Sequence, residues 1–344
     1  MKIGVGVVGA GRIGKLHAEN LAYRIPEARL LAISDVILDA ARETAARLEI
    51  PKAVPDYHAL LEDPDIHAVV ICSSTDTHAQ IIQDAARAGK HIFCEKPIDL
   101  DLQRVKQALE TVESSGVKFQ VGFNRRFDAN FRRVREAIAG GEIGEPHILR
   151  ITSRDPAPPP LAYVRVSGGI FLDMTIHDFD MARFLIGSDV AEVYAVGDVF
   201  VDPAFKEAGD VDTAIVHLTF ENGVLGTIDN SRQAVYGYDQ RVEVFGSKGM
   251  VQAHNNTPDN VVTLDQQAVR SAKPLYFFLE RYREAYVAEM QAFIDCIRDD
   301  TPPPVTGEDG LIPLQLGLAA QRSLAEHRPV RLTEISSEKN TPEA

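Results

Sequence analysis

Over the first third of the chain, short apolar runs at 3–8, 30–34, 68–72, 91–94 and 119–121 alternate with segments of helical spacing at 13–23, 40–48, 77–88 and 102–114. The runs are apolar throughout rather than at every second position, which predicts strands buried on both faces. Strands of this kind, separated by helices, form a doubly wound parallel sheet. Each helical segment closes on Gly, Pro or polar residues, and Ala88-Gly89-Lys90 has the composition of a helix C-cap.

After Gly122 the pattern changes. A helix is predicted at 131–139, ended by Gly140-Gly141, then a strand at 148–153 and a proline-rich stretch at 156–160. Strands follow at 193–199, 214–220, 224–230, 241–245 and 250–253, and helical periodicity returns at 279–298 and 314–325. Glu221-Asn222-Gly223 marks a hairpin, because Asn-Gly tolerates the positive φ of such turns. Two domains are therefore expected: an α/β domain at 1–122 and an α+β domain at 123–335 on a large, mainly antiparallel open sheet, followed by a polar tail at 336–344.

Composition narrows the function. At 344 residues the chain exceeds what one core usually supports. It is 45% hydrophobic and 25% charged, the proportions of an ordinary globular protein, with no apolar run long enough to span a bilayer. Its net charge of -14 disfavours nucleic acid and anionic membranes as partners and favours a small neutral substrate. Cys72, Cys94 and Cys296 are odd in number and lack metal-like spacing, so reduced thiols and a cytoplasmic location are expected. The apolar start is interrupted by Gly4, Gly6 and Gly9, which suits a first strand better than a signal peptide.

Gly9-Ala10-Gly11-Arg12-Ile13-Gly14 lies between the first predicted strand and the first predicted helix. The first glycine permits the turn, the second lets backbone approach a pyrophosphate, and the third lets helix pack on strand. The free N–H groups at the helix start then face the phosphates. Asp35 ends the second strand, where an acid accepts from the ribose diol, and Val36, Ile37 and Leu38 offer no arginine to a further phosphate. Together these predict a Rossmann domain binding NAD rather than NADP. Gly9, Gly11, Arg12, Ile13 and Asp35 are its expected contacts.

Ligands of an open parallel sheet bind beyond the carboxyl ends of the strands. The residues placed there are polar: Ser73-Ser74-Thr75-Asp76-Thr77-His78, Glu95-Lys96-Pro97 and Asn124-Arg125-Arg126. Ser73, Thr75, His78, Glu95 and Lys96 are expected to line the cofactor. The Lys96 ammonium can donate to a substrate oxygen as charge develops on it, or pair with Glu95 or a phosphate. A cis bond before Pro97 is possible. In the second domain Asp173 and His177 are four apart, which on one helix puts them on one face. Such a carboxylate–imidazole pair suits a general base. A surface ion pair, or a metal site with Asp178 or Asp180, stays open on spacing alone, and those two acids can equally be solvated or capping. No metal is expected.

With the glycine loop, Cys94-Glu95-Lys96-Pro97, Gly122-Phe123-Asn124-Arg125-Arg126-Phe127 and Asp173-Met174-Thr175-Ile176-His177-Asp178 assembled, the chain resembles the family of glucose–fructose oxidoreductase, inositol dehydrogenase and rhizopine-catabolism proteins over nearly its whole length. It is most similar to the inositol-oxidising members. The resemblance implies an NAD-dependent oxidoreductase converting myo-inositol to its 2-keto form, with Lys96, Asp173 and His177 catalytic. It implies substrate contacts at Asn124, Arg125, Asp155 and Tyr236, a Lys96–Pro97 bond often cis, and a homotetramer or dimer packed through the open sheet. Ser153 and Asp155 stand where some inositol dehydrogenases have His and Asn, which opens the isomer preference. Another polyol or an aldose, an NAD-using glycosidase, and an NAD sensor are the rival functions.

Overall fold

The structure, a computed structural model, describes residues 2–337. The expected tail lies, beyond Ser337, outside the described residues. The chain divides into two compact units, Met1–Phe127 with Glu284–Ile312 and Asp128–Arg283 with Pro313–Ala344.

The first unit carries six parallel strands: β1 (Ile3–Val8), β2 (Ala28–Ser34), β3 (Lys52–Val54), β4 (Ala68–Ile71), β5 (His91–Glu95) and β6 (Phe119–Gly122). Their order is β3-β2-β1-β4-β5-β6. The direction of winding therefore reverses between β1 and β4, which opens a crevice at their carboxyl ends. Every residue of β1 and β4 is buried, the reason their sequences do not alternate. Edge strand β3 was not anticipated, since three half-exposed residues leave no apolar run. Helices Arg12–Tyr23, Leu38–Leu48, Thr75–Arg87 and Leu102–Ser115 connect the strands. The third ends as predicted: Gly89 takes φ +70°, and the Gly89 and Lys90 N–H groups donate to Ala86 and Ala85.

A later segment of chain completes this core. The expected helix at 279–298 is two helices, Phe278–Arg281 and Arg283–Arg298, meeting at Tyr282. From the longer one, Met290, Phe293, Ile294 and Cys296 join the cluster of Val5, Val7, Val70 and Phe93. The rings of Phe93 and Phe293 lie 5.8 Å apart, edge to face. The same helix puts Glu289 in the interior, fully buried and 4.0 Å from His17 Nε2. Burial and the charge of Glu95 push the Glu289 carboxyl well above the usual carboxylate range, which favours its neutral form.

The second unit is built on β7 (Pro146–Arg154), β8 (Val190–Asp198), β9 (Thr213–Phe220), β10 (Leu225–Ser231), β11 (Asp239–Gly246) and β12 (Gly249–Ala253). A small hairpin of β13 (Val262–Leu264) and β14 (Val269–Ser271) stands apart, and β15 (Val330–Arg331) adds the last edge strand of the main sheet. The order is β12-β11-β7-β10-β9-β8-β15, antiparallel except for the central pair β7–β10. The β9–β10 hairpin turns at Gly223, whose φ is +86°. Alternate residues of β9 face inwards, Ala214, Val216, Leu218 and Phe220. Helix Thr175–Ile186 packs on β7 and β10.

The outward face carries apolar residues among its polar ones. Val196 pairs with Ile215, Leu225 with Ile148, Ile148 with Phe245, and Phe245 with Met250. Paired residues share a face, and all six are exposed.

Candidate active site

The three loop glycines differ in what surrounds them. Gly9 has φ +101°, and a Cβ there would lie 2.6 Å from the Cys72 carbonyl oxygen. A Cβ on Gly14 would lie 1.9 Å from the Gly9 carbonyl oxygen, so only glycine lets the helix start this close to the strand. A Cβ on Gly11 would meet nothing within 4 Å. Its empty side is the cradle a side chain would fill, and a pyrophosphate fits there against the exposed start of helix Arg12–Tyr23. Arg12 is exposed and Ile13 half-buried.

Asp35 is fixed by the same loop. Its Oδ2 accepts the Ala10 N–H at 2.7 Å and its Oδ1 the Ile37 N–H at 2.8 Å. Each oxygen keeps acceptor capacity for a ribose hydroxyl. Beyond β4, Ser73 Oγ bonds Thr77 Oγ1 at 2.7 Å, and Thr75 opens helix Thr75–Arg87.

Two expected cofactor contacts are differently employed. His78 is buried, with Nδ1 2.9 Å from the Pro97 carbonyl and Nε2 3.0 Å from the Ser73 carbonyl. Burial lowers its pKa, and the ring braces one loop against the other instead of offering a nitrogen to NAD. The Glu95 carboxylate turns to His17, with Oε1 and Nε2 2.7 Å apart. Lys96 follows it, half-buried, before a Lys96–Pro97 bond that is cis, as the resemblance implied. Asn124 and Arg125 lie in the short helix after β6, both buried, and the Asn124 Nδ2 has no hydrogen-bond partner among the described residues. The neighbouring Arg126 is tied to Asp309 at 2.8 Å.

In the second unit the expected single helix through Asp173 and His177 is two. Gly169–Asp173 ends at Met174, and Thr175–Ile186 begins after it. Asp173 Oδ1 accepts the Tyr163 hydroxyl at 2.9 Å, and Oδ2 lies 3.0 Å from Arg232 Nη2. Asp155 Oδ2 lies 3.4 Å from Nη1 of the same guanidinium. His177 is half-buried, one turn into its helix. Asp178 and Asp180 are fully buried rather than solvated; Asp178 accepts from Asn230 Nδ2 at 2.8 Å, and Asn230 Oδ1 accepts the Thr175 hydroxyl at 2.6 Å. Tyr236 is partly exposed, but its hydroxyl already donates to Asp239 at 2.6 Å. Ser153 is inside the protein and donates to Gln240 Oε1 at 3.1 Å.

Residues 3–123 match the oxidoreductase family with an NAD-binding Rossmann fold, and residues 131–252 match the GFO/IDH/MocA C-terminal domain. A myo-inositol 2-dehydrogenase of Thermotoga maritima is 56% identical over 331 residues, covering 96% of this chain and 99% of that protein. An inositol 2-dehydrogenase of Rhizobium meliloti is 47% identical, over 96% and 100%. The crystal structure of a myo-inositol dehydrogenase from Corynebacterium glutamicum superposes with TM-score 0.91 at 41% identity, over 96% and 99%. The chain belongs to the GFO/IDH/MocA family.

As a member of this family the protein is an oxidoreductase whose Rossmann unit binds NAD. The open side of Gly11, the bare helix start and the Asp35 carboxylate form a donor and acceptor set that fits that cofactor. His17, Glu289, Tyr163, Asn230 and Arg232 went unnoticed in the sequence. None of them belongs to a motif of recognisable spacing, and only the fold brings them to their partners.

Gly11→Ala and Gly14→Ala separate the two uses of the loop. Gly11→Ala is expected to melt within a few degrees of the parent and to weaken NAD binding about tenfold or more, by calorimetry. Gly14→Ala is expected to lose both stability and binding. Equal effects of the two on melting would contradict the assignment.

Proposed function

We propose that the protein is an inositol 2-dehydrogenase, oxidising myo-inositol to 2-keto-myo-inositol (scyllo-inosose) with NAD. The near full-length likeness to two named inositol 2-dehydrogenases carries this reading. NAD, held by the glycine loop and Asp35, would when bound supply the acceptor for the hydride. The His177 imidazole takes the hydroxyl proton, the Asp173 carboxylate supports the imidazolium that results, and Lys96 donates to the oxygen as negative charge grows on it.

Backbone N–H groups at Gly11, Arg12 and Ile13 hold the pyrophosphate, Asp35 the ribose, and Ser73 and Thr75 the rim at the end of β4. Glu95 and His78 set the turn from which Lys96 projects, which their contacts with His17 and the Pro97 carbonyl support. Asn124, Arg125, Asp155 and Tyr236 are the substrate contacts in this reading. The unsatisfied Asn124 Nδ2 supports the first of them, because a polyol hydroxyl would satisfy it. A site that hydrogen-bonds each hydroxyl rejects analogues whose hydroxyls point elsewhere.

No helix among the described residues is long and apolar enough to cross a membrane. We place the enzyme in the cytoplasm as a homotetramer. Two exposed apolar patches on the outward face, Val196–Ile215 and Leu225–Ile148–Phe245–Met250, support assembly, since faces of this kind mark protein contacts.

NADH formation across a panel of inositol isomers, other polyols and aldoses tests the activity, with His177→Ala as the control for proton transfer. Myo-inositol is expected to give the highest kcat/KM and His177→Ala to lower turnover by roughly 10²–10⁴. A preference for an aldose, or near-normal turnover in the variant, would overturn the reading. Light scattering is expected to give about four chain masses; a monomer would remove the role assigned to the open sheet face.

A further inference from the structure

Arg232 follows the last residue of β10, and three carboxylates surround it. Arg232 is 2% exposed. Nη1 reaches Asp155 at the end of β7, and Nη2 reaches Asp173 at the end of helix Gly169–Asp173. Asp210, ahead of β9, adds its field while its own Oδ1 accepts the Ile170 N–H at 3.1 Å. From the short helix Leu161–Val164, Tyr163 donates to the remaining oxygen of Asp173. Three acids from three segments of the second unit thus face one cation, and Asp173 is held between that cation and Tyr163.

We propose that Arg232 is a positioning residue of the dehydrogenase reaction: its guanidinium keeps Asp173 an anion and holds Asp173 and Asp155 apart in fixed orientations. This rests on the function proposed above. Without this buried guanidinium the two carboxylates would repel, and one would take up a proton. A protonated Asp173 could no longer support a positive imidazole, and a protonated Asp155 would become a donor where a substrate hydroxyl needs an acceptor.

Arginine suits the task for two reasons. It stays charged at every working pH, and its planar fork addresses two carboxylates at once. The carboxylates push its ionisation further upward against the effect of burial, which acts downward. Tyr163 works in the same sense. Burial and the Asp173 charge raise its pKa, so the phenol stays a donor to Asp173. Asp210, raised by burial, is steadied by backbone N–H groups.

The pH dependence of kcat/KM with myo-inositol, in Arg232→Gln and Arg232→Lys against the parent, tests this, with NAD affinity measured in parallel. Arg232→Gln is expected to lower kcat/KM roughly 10²-fold or more. It is also expected to move the acidic limb upward by about 1–3 pH units, because a carboxylate loses its counter-charge. Arg232→Lys, a point charge that cannot span both acids, is expected to fall between the two. NAD binds in the other unit, so its affinity is expected to be unchanged in both. An acidic limb coincident with the parent's, in a folded variant that binds NAD, would overturn the inference. A merely structural arginine would lower activity without moving that limb. If Arg232→Gln does not fold, Arg232→Lys decides by the same limb. A parent enzyme giving no NADH from myo-inositol would instead defeat the functional reading, before any variant is compared.

Discussion

The approach of Gly14 to the Gly9 carbonyl, too close for any side chain, sets the geometry of the first unit. It starts helix Arg12–Tyr23 directly at the end of β1, beside the point where the strand order reverses. The same loop is clamped by Asp35, which takes the Ala10 N–H while remaining able to accept from a ribose. One turn along the helix, His17 bonds Glu95, the residue before Lys96, and His78 meets the Pro97 carbonyl from the other side. His17 therefore connects the helix of the cofactor loop to the lysine turn, and His78 connects the Ser73 loop to the same turn. A displaced helix would move Lys96 as well.

The second unit solves a different problem, that of holding acids in a largely apolar layer. Asn230 ties Thr175 and Asp178, the residues on either side of Ile176 and His177, to β10. Arg232, two positions on, balances Asp155 and Asp173. Buried polar groups cost stability unless each finds a partner. The partners here come from one strand end, which fixes the backbone that carries His177.

Much of this was legible in the sequence because it is local. Apolar runs without alternation marked β1, β2, β4, β5 and β6, and Gly89 and Gly223 marked a cap and a hairpin. The glycine loop with Asp35 carried its own context. What escaped depends on pairing across long stretches of chain. Edge strand β3 is too short to leave a pattern, and the parallel pair β7–β10 is hidden among antiparallel neighbours. The return of residues 284–312 to the first unit could not be read from helical periodicity alone. The i,i+4 spacing of Asp173 and His177 suggested one helix, whereas the chain breaks at Met174. A spacing shows what a continuous helix would do, but not whether the helix is continuous.

The family, the NAD fold and the residues at the sheet edge converge on removal of a hydride from one carbon of a cyclic polyol. Myo-inositol carrying deuterium at C2 tests that claim most directly, with the reduced cofactor analysed by mass spectrometry. The account predicts that the deuterium appears in the nicotinamide ring and that turnover is no faster than with ordinary substrate. Reduced cofactor free of deuterium, or no reduced cofactor at all, would contradict it.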